Sequence, residues 1–217
     1  MNTPEQECPP KKLNILKATI TLIAEKGYDG TTTARIAKRA GVGEGTIYRY
    51  FRNKSEIIDH AAEYVSTVTF RPIRENYDPN SEVHSQYIRF CCDFLSTGAT
   101  NLVHYRFIEQ YINSPAGIEY RLNILDELKI NPGIKPHLYP LNRILNQAIE
   151  QNLLKDLPFE VLVGLTMGTL SFMLKHSGQG FFKLNKPLIA EIADSCWNAI
   201  SGSERQKSNI EQRIKPE

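Results

Sequence analysis

From Thr31 to Lys54 the chain reads TTTARIAKRAGVGEGTIYRYFRNK, a string that fits two short helices joined by a sharp corner and little else. Thr31, Thr32 or Thr33 can accept a hydrogen bond from a free backbone N–H at the start of a helix. The apolar positions Ile36, Ala37 and Ala40 then follow at i, i+1 and i+4. Gly41 ends that helix, since the residue just past a helix C-terminus favours a left-handed conformation that glycine adopts without steric cost. Val42 fills the corner. A second short helix is expected from about Glu44 to Tyr50, with Ile47 and Phe51 turned inward. Thr46, Tyr48, Arg49 and Tyr50 are left facing outward. Hydroxyl, phenol and guanidinium tips on one short helix suit contact with the phosphates and base edges of a duplex.

The run Ile36-Ala37-x-x-Ala40-Gly41-Val42-Gly43-x-Gly45-Thr46-Ile47-Tyr48-x-Tyr50-Phe51-x-x-Lys54, followed by Ser55-Glu56-Ile57-Ile58, resembles the signature of the tetracycline-repressor (TetR/AcrR) family of bacterial transcriptional regulators. The likeness runs from Leu13 to Ile58, roughly a fifth of the chain, and beyond it is one of length and helical texture. It implies an all-α fold: a three-helix DNA-binding domain, then a larger helical domain for effector binding and dimerisation. It also implies phosphate contacts for Thr33, Tyr48, Tyr50 and Lys54, with Gly45 and Thr46 deepest in the major groove. Arg49 can grip guanine bidentately or lie on a phosphate, and both readings stay open. Two positions depart from the pattern. Gly43 stands where many relatives carry a Ser or Thr cap. Glu44 would be repelled by phosphate unless it accepts from a cytosine amino group; otherwise it points to solvent and favours the helix dipole.

Charge supports a head that meets a polyanion. From Lys11 to Glu56 there are ten Lys/Arg against four Asp/Glu, while the rest of the chain holds 16 basic and 20 acidic residues. A basic head on an acidic body presents one end to nucleic acid. The expected divisions are a disordered tail over 1–10, the DNA-binding domain over 11–56, an effector-binding and dimerisation domain over 57–202, and a flexible tail over 203–217. Nothing at the start reads as a signal peptide. The longest apolar stretch, Val161 to Leu174, has 14 residues, short of the ~20 that span a bilayer. A cytoplasmic protein without membrane attachment is expected.

About nine or ten helices are legible. The first runs from near Pro10 to Lys26 with Leu13, Leu16, Ile20 and Ile23 on one stripe. A fourth runs from Asn53–Ser55 towards Phe70 and ends before Pro72. Later helices are expected after Asn80, from Leu102 following a break at Gly98 to Thr100, from Ser114-Pro115 to Lys129, from Leu138 to Leu154, from Leu157-Pro158 to His176, and from Pro187. The helix around Val161 to Leu174 is apolar on nearly every side, with Gly164 and Gly168 four apart. The last carries the stripe Ile189, Ile192, Ala193, Cys196, Trp197 and Ile200. Gly164, Gly168, Ile189, Ala193 and Trp197 are therefore the expected dimer contacts, since relatives pair through their last two long helices; an ordinary core helix is the alternative.

The resemblance also implies a small-molecule pocket in the body, whose occupancy moves the fourth helix and releases a palindromic operator. Tyr64, Phe90, Phe94, Tyr105, Phe107, Tyr111 and Phe172 are the candidate lining for an apolar or aromatic effector, with core packing as the alternative for each. His104, His137 and His176 are possible polar anchors. A DNA-binding regulator that needs no ligand is the other reading. No catalytic triad, phosphate loop, HExxH or paired-carboxylate site is present, and no cofactor or metal is implied. The four cysteines, Cys8, Cys91, Cys92 and Cys196, lack metal-ligand spacing, and a redox role for Cys91-Cys92 stays open.

Overall fold

The computed structural model describes residues 8–114, 117 and 139–202. Helix follows helix through them: α1 (Pro10–Lys26), α2 (Thr33–Ala40), α3 (Glu44–Tyr48), α4 (Lys54–Thr69), α5 (Arg71–Glu75), α6 (Val83–Thr100), α7 (Leu102–Ile112), α8 (Tyr139–Glu150), α9 (Phe159–Val163), a π-helical turn (Gly164–Gly168), α10 (Thr169–Gly178) and α11 (Lys186–Ile200). Among the described residues no strand forms; an isolated bridge joins Leu154 to Ser201. The expected helix from Ser114-Pro115 to Lys129, the break after it, His137, and the tails over 1–7 and 203–217 lie outside the described residues.

In α1, proline occupies the first turn, where its missing N–H costs nothing. Ile15, Leu16, Ala18, Ile20, Leu22 and Ile23 are buried, a band wider than the expected stripe because α1 is gripped from both sides. It packs on α2 of the head and equally on α4 and α7 of the body. Head and body thus share one helix.

Several boundaries differ from expectation. The helix following α3 runs from Lys54 to Thr69 and ends before Pro72 as expected, but a separate turn, α5, follows at once with Pro72 in its first turn. Gly98 does not break α6; it lies within the helix and is buried, where Leu174 of α10 comes so close that an added Cβ would lie 2.5 Å from its Cδ1. The break falls at Asn101 instead. Helix α8 closes at Glu150, and Asn152 turns the chain in a left-handed conformation, φ 55°. Lys155 N–H then donates to the Ile200 carbonyl at 2.8 Å, tying this corner to the end of α11. The apolar run from Phe159 to Gly178 is helical throughout but widens to a π-helical turn at Gly164–Gly168. There the buried Thr166 donates to the Leu162 carbonyl at 3.0 Å and leaves Tyr87 to donate to its hydroxyl at 2.8 Å.

At the seam between α1, α4 and α7, Thr69 and His104 share a 2.7 Å hydrogen bond, with the Tyr64 ring edge-on to the imidazole. Burial lowers the His104 pKa, and the nearby Lys17 adds to the effect. The unfolded chain, with an ordinary imidazole near 6.5, therefore takes up this proton first as pH falls. Stability from this group is complete above about pH 6.5 and is lost as pH drops through the lower folded value. Melting temperatures followed from pH 7.5 to 5 should fall, and His104→Asn should flatten that slope; an unchanged slope in the variant sinks the assignment.

Candidate nucleic-acid interface

Of the three candidate threonines, Thr32 caps α2, accepting from the Arg35 N–H at 3.3 Å. Thr31 is buried and donates to the Gly27 carbonyl at 2.9 Å, while Thr33 is the half-buried first residue of the helix. Gly41 takes the left-handed conformation, φ 68° and ψ 33°, as the corner requires. Val42 N–H reaches back to the Ala37 carbonyl at 3.0 Å, closing the turn.

Helix α3 is shorter than the expected Glu44 to Tyr50. It ends at Tyr48, with Arg49 and Tyr50 in a tight turn whose Tyr50 and Phe51 N–H groups both return to the Ile47 carbonyl. Packing holds this turn in place. Ile47 is 0% and Phe51 2% exposed, and the Phe51 ring is held edge-on to His60 with Lys12 over its face.

What remains outside is the expected reading face. Gly43, Glu44, Gly45 and Arg49 are exposed, Thr46 and Tyr50 half-buried. Tyr48 is 56% exposed. An added Cβ at Gly45 would meet nothing within 4 Å, so the backbone there is open to close approach. Gly43 caps the helix without a side-chain hydrogen bond.

The head's cations divide into those the fold engages and those it does not. Arg39 forms a bidentate pair with Glu25, at 2.7 and 3.0 Å, locking α2 to α1. Arg35 donates to the Gly30 carbonyl. Arg52 meets Glu56, which also accepts the Arg52 backbone N–H; those bonds hold the Glu56 carboxyl below its usual range. Arg49 alone of the head's four arginines makes no hydrogen bond or ion pair among the described residues. Lys54 was expected to present its ammonium to phosphate. The ammonium instead donates to the Tyr28 carbonyl at 2.6 Å and lies 4.2 Å from the centre of the Tyr28 ring. Burial lowers its pKa, with Asp29 opposing. Two of its three donors stay available, so a phosphate there would be met by an ammonium already fixed in place. Asn53 caps α4 beside it, accepting from Glu56 N–H at 2.9 Å.

In the body, the aromatic candidates part company. Tyr64, Phe90, Phe94, Tyr105, Phe107 and Tyr111 are buried, but Phe172 is 55% exposed and cannot line an interior. Phe94 stacks with Phe70 and Phe90, and Phe107 with Tyr111, whose hydroxyl donates to Asp59 at 3.3 Å. His104 is engaged with Thr69, and His176 stacks on Phe172. Burial pushes the Cys91 thiol well up and raises Cys92 as well, so neither is a ready thiolate.

The expected dimer contacts also divide. Gly164 and Gly168 lie open, with nothing within 4 Å of an added Cβ. Ile189 and Ala193, however, are buried inside the subunit, and half-buried Trp197 packs on His84 and Tyr87 of α6. The apolar stripe of α11 faces α6, because that is the large apolar surface within reach. The uncovered stripe is on the preceding helix instead. Val161, Leu165 and Phe172 share it with the two glycines, at 41, 37 and 55% exposure.

Among the described residues no helix is long and apolar enough to cross a membrane, and no three His, Cys, Asp or Glu side chains are grouped to hold a metal.

Residues 15–61 match the bacterial regulatory proteins of the tetR family, and residues 83–201 match the tetracyclin repressor-like C-terminal domain. The chain is 25% identical over 189 residues to an HTH-type transcriptional regulator of Haemophilus influenzae, covering 86% of this chain and 93% of that one. A TetR family transcription regulator from Marinobacter aquaeolei VT8 shares the fold with a TM-score of 0.78 at 21% identity, over 92% of this chain and all of that one. The transcriptional regulator FadR from Bacillus subtilis, in complex with stearoyl-CoA, does so with a TM-score of 0.65 at 22% identity, over 86% of this chain and 95% of that one. With its head and most of its body matched, the chain belongs to the tetR family of bacterial regulatory proteins and is a DNA-binding transcriptional regulator.

Proposed function

We propose that this regulator is a repressor that binds an inverted-repeat operator as a homodimer, laying α3 of each subunit in the major groove. The observation that carries this is the reading face itself: Arg49 unpaired, Tyr48 exposed and Gly45 open, on a helix fixed by Ile47 and Phe51. Thr46 and Arg49 read bases; Thr33, Tyr48, Tyr50 and Lys54 hold phosphates; Glu44 flanks the reading residues. Half-sites lie about one helical turn, 34–36 Å, apart.

Pairing runs through the stripe Val161, Gly164, Leu165, Gly168 and Phe172. The open glycines let a second backbone approach closely, and Phe172, stacked on His176 at 3.9 Å, carries the apolar surface towards Phe181. An apolar or aromatic effector inserts among Tyr64, Phe90, Phe94, Phe107 and Tyr111 and displaces α4, which bears the head. That the FadR neighbour holds stearoyl-CoA supports an apolar effector. The direct stacking of Phe70, Phe94 and Phe90 favours the second reading, a regulator that needs no ligand.

Selection of bound sequences from random DNA tests the first claim and should return a palindrome. On that operator, Arg49→Ala should cost about 1–3 kcal/mol and relax preference at one position per half-site, while Lys54→Ala should weaken all sequences alike and lower the salt slope by about 1. Recovery of no preferred sequence defeats the reading. Stearoyl-CoA and palmitate, added to the complex, separate the effector readings: release supports the first, and indifference to both the second.

A further inference from the structure

A cleft of about 370 Å³ opens between α1 of the head and α7 and α10 of the body. Ala24, Leu102 and Leu174 give it an aliphatic wall. The rest is polar. Arg106, Glu109, Gln110 and Asn113 recur at i, i+3, i+4 and i+7, so a single face of α7 and its cap delivers all four. Lys175 and Gln179 join them from the end of α10.

Most of this hydrogen-bonding capacity is not consumed by the fold. Glu109 and Lys175 neutralise one another at 2.9 Å. Arg106 gives one N–H to the Gly178 carbonyl at 2.5 Å and keeps four more. Asn113 donates one amide hydrogen to the Glu109 carbonyl at 2.8 Å and keeps its own carbonyl free. The side-chain amides of Gln110 and Gln179 have no partner among the described residues. Tyr105, also at the cleft, already donates to the Ser171 carbonyl at 2.8 Å and has no further proton to give.

With the Glu109–Lys175 charges paired, the guanidinium is the one uncompensated charge in the cleft among the described residues. We propose that the cleft binds a small oxyanion carried on a hydroxylated carbon skeleton, a sugar acid or sugar phosphate, with the anion on Arg106 and the hydroxyls on Gln110, Asn113 and Gln179. A planar fork of N–H donors matches carboxylate or phosphate oxygens two at a time. Amides both donate and accept, which is what a hydroxyl requires. The aliphatic wall covers the C–H face of the skeleton. An acyl chain would strip water from the guanidinium and the amides and replace none of their hydrogen bonds, so this site is distinct from the aromatic interior and independent of any effector there.

Calorimetric titration of the full chain with gluconate, with glucose 6-phosphate and with neutral glucose tests this. Saturable binding of one or both anions, and not of glucose, is expected; gluconate alone assigns a carboxylate and glucose 6-phosphate alone a phosphate. Arg106→Gln should weaken binding by about tenfold or more, as should Gln110→Ala with Gln179→Ala, the worth of a charge-assisted or paired hydrogen-bond set. Methyl NMR of the unsubstituted protein gives a readout that needs no variant: Ala24, Leu102 and Leu174 should shift with the anion. No saturable binding or methyl shift with either anion, equal binding of glucose, or affinity undiminished by Arg106→Gln overturns the proposal.

Discussion

Placing two carboxylates on the outer stripe, Leu165→Glu with Phe172→Glu, is expected to yield a folded monomer whose operator affinity falls by about 10²- to 10⁴-fold. The subunit should tolerate both changes, since these side chains are 37 and 55% exposed within it. The pair should not. Burying Phe172 or Leu165 against a second copy is worth about 1.5–3 kcal/mol each, and with both changes made in both copies four carboxylates would have to be desolvated in one apolar seam. One head alone keeps every contact with its half-site but loses the second, which had been tethered at high local concentration. Sedimentation together with binding to the selected palindrome checks this. A double variant that stays dimeric would show that the copies meet elsewhere.

The second large effect belongs to Phe51→Ala, which should destabilise the head by about 3–5 kcal/mol and abolish DNA binding. Phe51 ends the reading turn, is 2% exposed, and its N–H closes on Ile47. Removing the ring leaves a void beside Ile47 and His60 and frees the turn that aims Arg49. Tyr48→Ala, three residues earlier and exposed, should leave stability within about 0.5 kcal/mol while still weakening DNA binding. The contrast separates building the interface from touching DNA. Denaturant titration of both variants beside DNA binding decides it: equal stability losses would contradict the division of inward and outward residues.

That division was legible without coordinates because it depends on partners three or four residues away. A threonine among residues 31–33 caps, Gly41 turns, and Ile47 and Phe51 go inward, and local spacing states each of these; which threonine caps was left to the structure. The shortened α3 was not legible, because the four-residue spacing of Ile47 and Phe51 suits a continuing helix as well as a turn. Nor was the state of Lys54. Its ammonium meets the Tyr28 carbonyl, 26 residues back in the chain, and no local spacing announces that contact. The same holds for the cleft. The i, i+3, i+4, i+7 recurrence of Arg106, Glu109, Gln110 and Asn113 is a visible polar stripe, yet such a stripe most often faces only water. Lys175 and Gln179 make it a site by arriving from another helix.

The apolar helix faces show the boundary most clearly. A stripe at helical spacing marks α11, and the Val161–Leu174 run is apolar on nearly every side. Periodicity reports that a face avoids water; it does not report what covers it. Packing settled that Ile189, Ala193 and Trp197 are covered by α6 of the same subunit, and that Val161, Leu165 and Phe172 are left bare. The sequence by itself determined an all-helical chain with a basic, correctly capped reading head, because caps, corners and charge are short-range properties. Which apolar surface stays open, which cations stay free, and where polar side chains converge were decided only by tertiary structure, because each depends on residues brought together from distant parts of the chain.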